Sequence, residues 1–435
     1  MDITLPEPIV FGDTSGDLGN HTIAAAQIIT DLDLAPNSLI GDADTLFDHA
    51  AGGNDTLYSQ SETDVTVVGD ALTITDEAAG GSDQVTAEAH GIATAVGDAV
   101  TISAHGEGGN DSVTASSTIA ALAYGDAGTM SDHAIGGNDS VSATAGLGDA
   151  SAYGDCSTMT DHAQGGNDNV VALAPGGGSA FAYGDAQTIS GFARGGNDHV
   201  DAEGTISSIA YGDAQTITDH ATGGDDVVTG SASAILYGDA HTLSGNAVGG
   251  NDTLISQSVP GSITQMYGDG FELLDHVKGG NDTLISGAGN DQMWGDGATI
   301  APTATTGADT FVFSLTLIKT ASPQIGHDTI EDFQPGQDHI ELQGFAAVTR
   351  FGDVASRTTD TAQGSLITID ANDSVLVMND HHLTSGDFFF YLEAAPAKRM
   401  SRPDSARERH SRINSARAVW IAPSPRSSAL LVINR

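Results

Sequence analysis

Aspartate is the chemically capable residue that this sequence repeats most strictly. Between residues 41 and 297 it recurs in two settings, after glycine in G-D and at the close of G-G-N-D. The first set is Asp42, Asp70, Asp98, Asp126, Asp155, Asp185, Asp213, Asp239, Asp269 and Asp296. The second is Asp55, Asp83, Asp111, Asp139, Asp168, Asp198, Asp226, Asp252 and Asp282, with Asp291 nine residues further on. From a G-D Asp to the next G-G-N-D Asp the distance is always 13 residues, whereas the return leg varies between 13 and 17. The variable leg accepts segments such as APGGGSA (174–180) and VPGS (259–262). One edge is therefore held to a fixed geometry while the other tolerates surface loops. A fixed acidic turn is what ligating a metal ion demands.

The donor types select the ion. Carboxylates and turn carbonyls are hard oxygen donors, which suit Ca²⁺ with its 6–8 oxygens at ~2.3–2.6 Å. Zn²⁺ favours Cys and His, which are not placed for it here. Glycine admits positive φ, the expected reason for its place in these turns. Asn-Asp after Gly-Gly also favours turns on its own account, but the number of copies favours ligation. A further Asp precedes G-G-N-D in six copies (Asp48, Asp76, Asp132, Asp161, Asp219 and Asp275), so the ligand count per site stays open. The His that follows it (His49, His133, His162, His220, His276) gives way to Glu77, Phe192 and Asn246 elsewhere, which fits an exposed turn better than a transition-metal array.

Positioning these turns requires regular elements. Three apolar columns recur: Leu46, Ile74, Ile102 and their equivalents; Leu57, Val85, Val113 and theirs; and Ile40, Val68, Val96, then Tyr124 through Tyr267 to Trp294. Single apolar residues in short runs bounded by Gly and Asp suit short strands with one side chain turned inward. The fold expected is all-β, a parallel β-solenoid (β-roll or β-helix). One 28-residue unit per coil fits the columns, and nine-residue half-coils, three to a unit, fit as well. Coils stacked ~4.7–4.9 Å apart would crowd like-charged carboxylates unless cations lay between them.

Charge supports this account and excludes others. Residues 1–395 hold 56 acids and 5 bases, a net of −51, within a chain of 435 residues and formal charge −44. Such a chain, with 55 Gly and 5% aromatics, resists collapse unless something positive neutralises it. Nucleic acid and anionic membrane surfaces are excluded as partners of this body. No apolar run approaches the ~20 residues of a membrane span. The acidic N-terminus lacks the form of a Sec signal, and Cys156 alone allows no intrachain disulfide. H-E-x-x-H, G-x-S-x-G and phosphate-loop motifs are absent.

The segment GGNDTLISGAGNDQMWGDG (279–297) resembles the glycine-rich nonapeptides of the repeats-in-toxin (hemolysin-type) family. Most copies read A-x-G-G-N-D and so depart from its first two glycines. Downstream, GADTFVF (307–313), HDTIEDFQPGQDHIELQGF (327–345), GSLITIDANDSVLVM (364–378) and LTSGDFFF (383–390) resemble the C-terminal cap of serralysin-type proteins. The resemblance implies Ca²⁺ as the bound ion, extracellular localisation and export by type I secretion machinery. It divides the chain into a degenerate N-terminal cap (1–40), calcium-binding repeats (41–297), a C-terminal β cap with the secretion signal region (298–394), and a basic tail (395–435) expected to be disordered.

The function expected is that of a secreted, non-enzymatic calcium-binding repeat protein serving a structural, surface or matrix role. Two alternatives rest on surface columns. Thr45, Thr73, Thr101 and their equivalents, with Thr75, Ser103, Ser131 and theirs, would form a hydroxyl grid if both lay on one strand face, as in ice-binding solenoids. The Tyr column could stack on sugar rings of an extracellular polysaccharide, though core stacking explains it more simply. A β-helix enzyme acting on polysaccharide is the third reading, disfavoured by five bases in 395 residues.

Overall fold

Each repeat unit closes one coil of three short strands. In one coil Ile92–Val96 belongs to a first sheet, Ala99–Ile102 to a second and Ser112–Ser117 to a third. Ala99 pairs with Ala71 and Ala127, Ser112 with Gln84 and Ser140, and Ala121 with Ala93, all in parallel. The register advances by a whole unit, so one unit per coil is the observed arrangement. The computed structural model describes residues 3–32, 35–319 and 322–391, within the compact unit Met1–Glu393. The basic segment expected to be disordered, 395–435, lies outside the described residues.

The three sheets have 15, 10 and 13 strands. Inward residues of the first and third sheets share one core, including Val113, Ala115, Ala121, Ala123 and Val141. The second sheet packs on its own turn to make a smaller core, with Leu46, Ile74 and Ile102 against Ala50, Ala78 and Ala134. Each coil thus has a large and a small lobe joined by a neck. The G-D turn leads out of the large lobe, and the G-G-N-D turn leads back. Both cores are rich in alanine. Full burial of a Val or Leu is worth about 1.5–3 kcal/mol, and alanine has fewer carbons to bury.

The third apolar column does not join either core. Ile40, Val68, Val96 and Tyr124 through Tyr267 form a separate buried seam on the outside. Its early members are Ile and Val because the N-terminal segment packs there. Ile3, Leu5 and Ile9 lie against the seam, while Thr66 Oγ1 donates to Thr4 O and Ser38 Oγ to Pro6 O, both at 2.8 Å. From Tyr124 onward the rings supply that bulk, stacked at 4.5–5.2 Å through Trp294.

The ladders run past the repeats at both ends. Ile9–Phe11 pairs with Asn37–Ile40, and Ile28–Asp31 with Thr56–Ser61. Beyond the repeats, Thr310–Ser314, His339–Gln343 and Phe388–Tyr391 extend the third sheet, whereas the second stops at Gly297–Ile300. Phe311, Phe313, Phe345 and Phe388 widen the core there. Antiparallel pairing of Thr358–Asp360, Gly364–Thr368 and Ser374–Met378 closes the first sheet.

Candidate metal centre

The two Asp sets form two parallel rows in the neck between the lobes. Every member from Asp42 to Asp309 is at most 4% exposed. Each G-D Asp accepts the N–H of the second Gly of its own G-G-N-D turn, as in Gly81 to Asp70 at 2.8 Å and Gly196 to Asp185 at 2.8 Å. Each G-G-N-D Asp accepts through Oδ1 from the backbone N–H of its counterpart one coil earlier. Asp55 donates to Asp83, Asp83 to Asp111 and Asp168 to Asp198, each at 2.7 Å. One oxygen of each carboxylate is thus used to lock the coil.

The other oxygen has no donor, except in Asp98, where Gly109 N lies 2.9 Å from both oxygens, and in Asp296. Among the described residues, eighteen buried carboxylate oxygens of the two rows lack any hydrogen-bond partner, including Asp70 Oδ1, Asp83 Oδ2, Asp185 Oδ2, Asp198 Oδ2 and Asp309 Oδ2. An unpaired buried carboxylate is among the costliest arrangements in a protein. Burial and the neighbouring carboxylates push these groups upward in pKa. Asp83 rises to about 9, through burial and then Asp111. Asp309 also reaches about 9, through burial and then Asp296, and Asp239 about 7, through burial. Asp70, Asp126 and Asp213, deeper in the rows, lie well above the usual range for the same reasons.

The glycines show where those oxygens point. A β-carbon built on Gly195 would stand 2.0 Å from Asp213 Oδ1 and 2.3 Å from Asp185 Oδ2. One built on Gly184 would stand 1.6 Å from Gly212 O and 2.3 Å from Asp198 Oδ2. None of the G-D or G-G-N-D glycines has positive φ. Glycine is required by close approach of oxygens, not by the positive φ expected from sequence. No group of three or more His, Cys, Asp or Glu among the described residues could hold a metal through side chains alone. Glycine carbonyls such as Gly212 O lie beside the donorless carboxylate oxygens, so an ion there would meet main-chain and side-chain oxygens together. Such an all-oxygen set, in a flexible geometry, suits Ca²⁺.

Other sequence expectations sort differently. Asp291 is buried but stands apart. It accepts from Gly287 N at 2.8 Å, Ser258 Oγ at 3.2 Å and Thr264 N at 3.4 Å, so both its oxygens have protein donors. The D-H-A aspartates are exposed and adopt left-handed φ, from 56° at Asp48 to 63° at Asp219. Ala104, Gly191 and Gly245 share that conformation at equivalent positions. Asp serves there as a turn former. The neighbouring His rings are exposed and stack along the surface, as His105 on His133 at 5.0 Å. Thr101 lies in the strand Ala99–Ile102, and Ser103 just past its end keeps the ladder bond, its N–H donating to Ile74 O at 3.0 Å, so both hydroxyl columns flank the buried Ile102. Each ring from Tyr153 to Tyr267 is stacked on both faces, so none of these offers a face to a sugar.

Asp309 was missed as a row member. It falls 13 residues after Asp296, so the fixed spacing could have found it. Asp13, in a G-D pair before the repeats, is the other overlooked member, and Ala25 N donates to it at 2.8 Å.

A parallel β-solenoid carrying two buried carboxylate rows defines the class. Over residues 7–392 the chain matches the family described as Peptidase M10 serralysin C terminal, and it belongs to that family, with repeats of the repeats-in-toxin type. The matched region is the non-catalytic C-terminal repeat part of that family, whose members are secreted by the type I route and whose repeats bind Ca²⁺. No curated protein matches the chain. Among solved structures, extracellular lipase LipA from Serratia marcescens is similar at 15% identity and a TM-score of 0.21. The likeness covers 60% of this chain and 40% of the lipase, less than half of that protein. No helix of the described residues is long and apolar enough to cross a membrane.

Proposed function

We propose that this chain is a secreted protein that folds on calcium outside the cell and serves there as a structural or matrix element. The carrying observation is the set of eighteen donorless carboxylate oxygens, buried in register and facing carbonyls. Residues of the G-D and G-G-N-D rows would hold the ions, each site combining carboxylates with glycine carbonyls. Calcium would supply the positive charge that lets the rows stay ionised while buried.

This reading supplies a logic for export. Without the ion, repulsion along a chain of net −51 opposes collapse, and alanine-lined lobes return little on burial. At submicromolar cytosolic calcium the repeats would remain unfolded and fit for type I export. Outside, sites with extracellular-type affinities of ~10⁻⁴–10⁻³ M would fill, and binding energy becomes folding energy. The repeats at 41–297 would carry the ions, residues 1–40 would cap them, and 298–394 would hold the secretion signal.

The test is far-UV circular dichroism during a calcium titration, with magnesium as control. A β-rich spectrum should grow with calcium and not with magnesium. A β-rich spectrum unchanged in excess chelator would overturn the proposal.

A further inference from the structure

The ion rows have built ends. Ten coils carry a complete Asp pair, from Asp42 with Asp55 to Asp296 with Asp309. The coil before them has the G-D member, Asp13, but its other column differs. Gln27 precedes Ile28, which pairs with Thr56, so Gln27 stands where the next coil has Asp55. Its backbone confirms the register, because Gln27 N donates to Asp55 Oδ1 at 2.6 Å just as Asp55 N donates to Asp83. The Gln27 side chain turns to Asp13, and Nε2 donates to Asp13 Oδ1.

The far end repeats the device with a different residue. In the coil after Asp309 the second-row position is Asp338, but no Asp follows in the G-D column. Gln334 fills the gap, and its Nε2 donates to Asp296 Oδ2 at 2.7 Å. Asp296 is therefore a first-row carboxylate without an orphaned oxygen. Asp338 is likewise satisfied, accepting Asp309 N at 3.0 Å and Gln334 N at 2.8 Å. Asp332 covers the last G-D turn, accepting from Gly295 N at 2.7 Å and Asp296 N at 3.1 Å. At both ends, then, a glutamine amide donates to the terminal carboxylate of the G-D row.

We infer that Gln27 and Gln334 are end stops of the ion rows, each amide N–H giving the terminal carboxylate the positive partner that calcium gives inside. The inference rests on the calcium reading and adds a specific claim, that the number of ions is fixed by where a glutamine amide, in place of a cation, meets the last G-D carboxylate. Amide and carboxylate are nearly isosteric, but only the carboxylate demands a cation. Restoring the repeat's own residue at position 27 should extend the row by one site.

The experiment is equilibrium dialysis with ⁴⁵Ca²⁺ on the full chain, wild type beside Gln27→Asp, with far-UV circular dichroism on the same samples. Gln27→Asp should bind one more ion per chain than wild type. Gln334→Glu, which sets a second carboxylate against Asp296, should do the same at the other end. Wild type that binds calcium, with both variants folded and binding the same number, would overturn the inference while leaving the calcium reading intact. Wild type that binds none would remove the calcium reading itself. If neither variant folds in saturating calcium, the new carboxylates have found no cation and the end-stop inference fails too.

Discussion

Acid should partly replace calcium. In the ion-free fold Asp83 is pushed up to about 9 by burial and Asp111, whereas in the unfolded chain it titrates near its ordinary 3.8. A folded pKa above the unfolded one gives stability that is fully present below 3.8 and is lost as pH rises through the folded value. At pH 7 the loss for this one residue is about 4 kcal/mol, from roughly three pH units at ~1.36 kcal/mol each. The buried rows hold many carboxylates pushed in the same direction, so the ion-free solenoid should lose stability steeply as pH rises to neutrality. Calcium-stripped protein should therefore be unfolded at pH 7–8 and should gain β signal as pH falls toward 4. With calcium present the trend reverses. Each site must expel protons before it fills, so the calcium midpoint should rise as pH falls from 8 to 5. Far-UV circular dichroism across pH, with and without calcium, measures both arms. Sedimentation should accompany it, because the sequence pI is about 4.1. A stripped protein with full β signal at pH 8, or a calcium midpoint that ignores pH, would refute the argument.

Other substitutions separate the ions from the scaffold. Asp168→Asn puts an N–H₂ or a neutral oxygen where the donorless Oδ2 lies, so equilibrium dialysis should find fewer bound ions and a higher calcium midpoint. Gly166→Ala would set a methyl 1.3 Å from Gly137 O, and the thermal midpoint in saturating calcium should fall by the equivalent of about 3 kcal/mol or more. Gly16→Ala, whose nearest neighbour would be 3.6 Å away, should leave that midpoint unchanged. Tyr183→Ala removes a buried ring stacked 4.7 Å from Tyr153 and 4.9 Å from Tyr211. It should cost about 3–5 kcal/mol in melting experiments without changing the number of ions bound.

What the sequence made legible follows from which constraints leave a period. Burial in register forces Asp at a constant spacing of 13, so the two rows, the class of fold and the candidate ion could be read directly. The number of strands in a coil could not. The apolar columns recur every unit whether a coil consumes a whole unit or a third of one, and only the pairing of Ala99 with Ala71 decides it. Nor does a buried column say which core it enters. Tyr183 is as buried as an interior residue, yet it packs in an outer seam, because aromatic bulk there replaces the N-terminal segment lying over Val68 and Val96. The glycines misled for a related reason. A Gly forced by left-handed φ and one forced by an oxygen at contact distance look identical in a string of letters. Here Gly191 is the first kind and Gly195 the second.

The residues that bound the rows were the hardest to see, because they act by breaking the pattern. Asp309 kept the spacing and lost only its Gly-Asn context. Gln27 kept the position and lost the charge, which a search for repeated carboxylates discards. Yet a position that holds Asp in ten consecutive coils and Gln in the one before them carries information through the exchange. The longer amide reaches Asp13 as a donor and removes the need for a cation, as a row that must stop requires. Gln334 reaches the same end from another place in the chain, and no alignment to the repeat would have paired it with Gln27. Only the shared act of donating to the last G-D carboxylate does so. In a repeat protein held by ions, the departures from the repeat therefore say where binding ends, as the repeats say where it occurs.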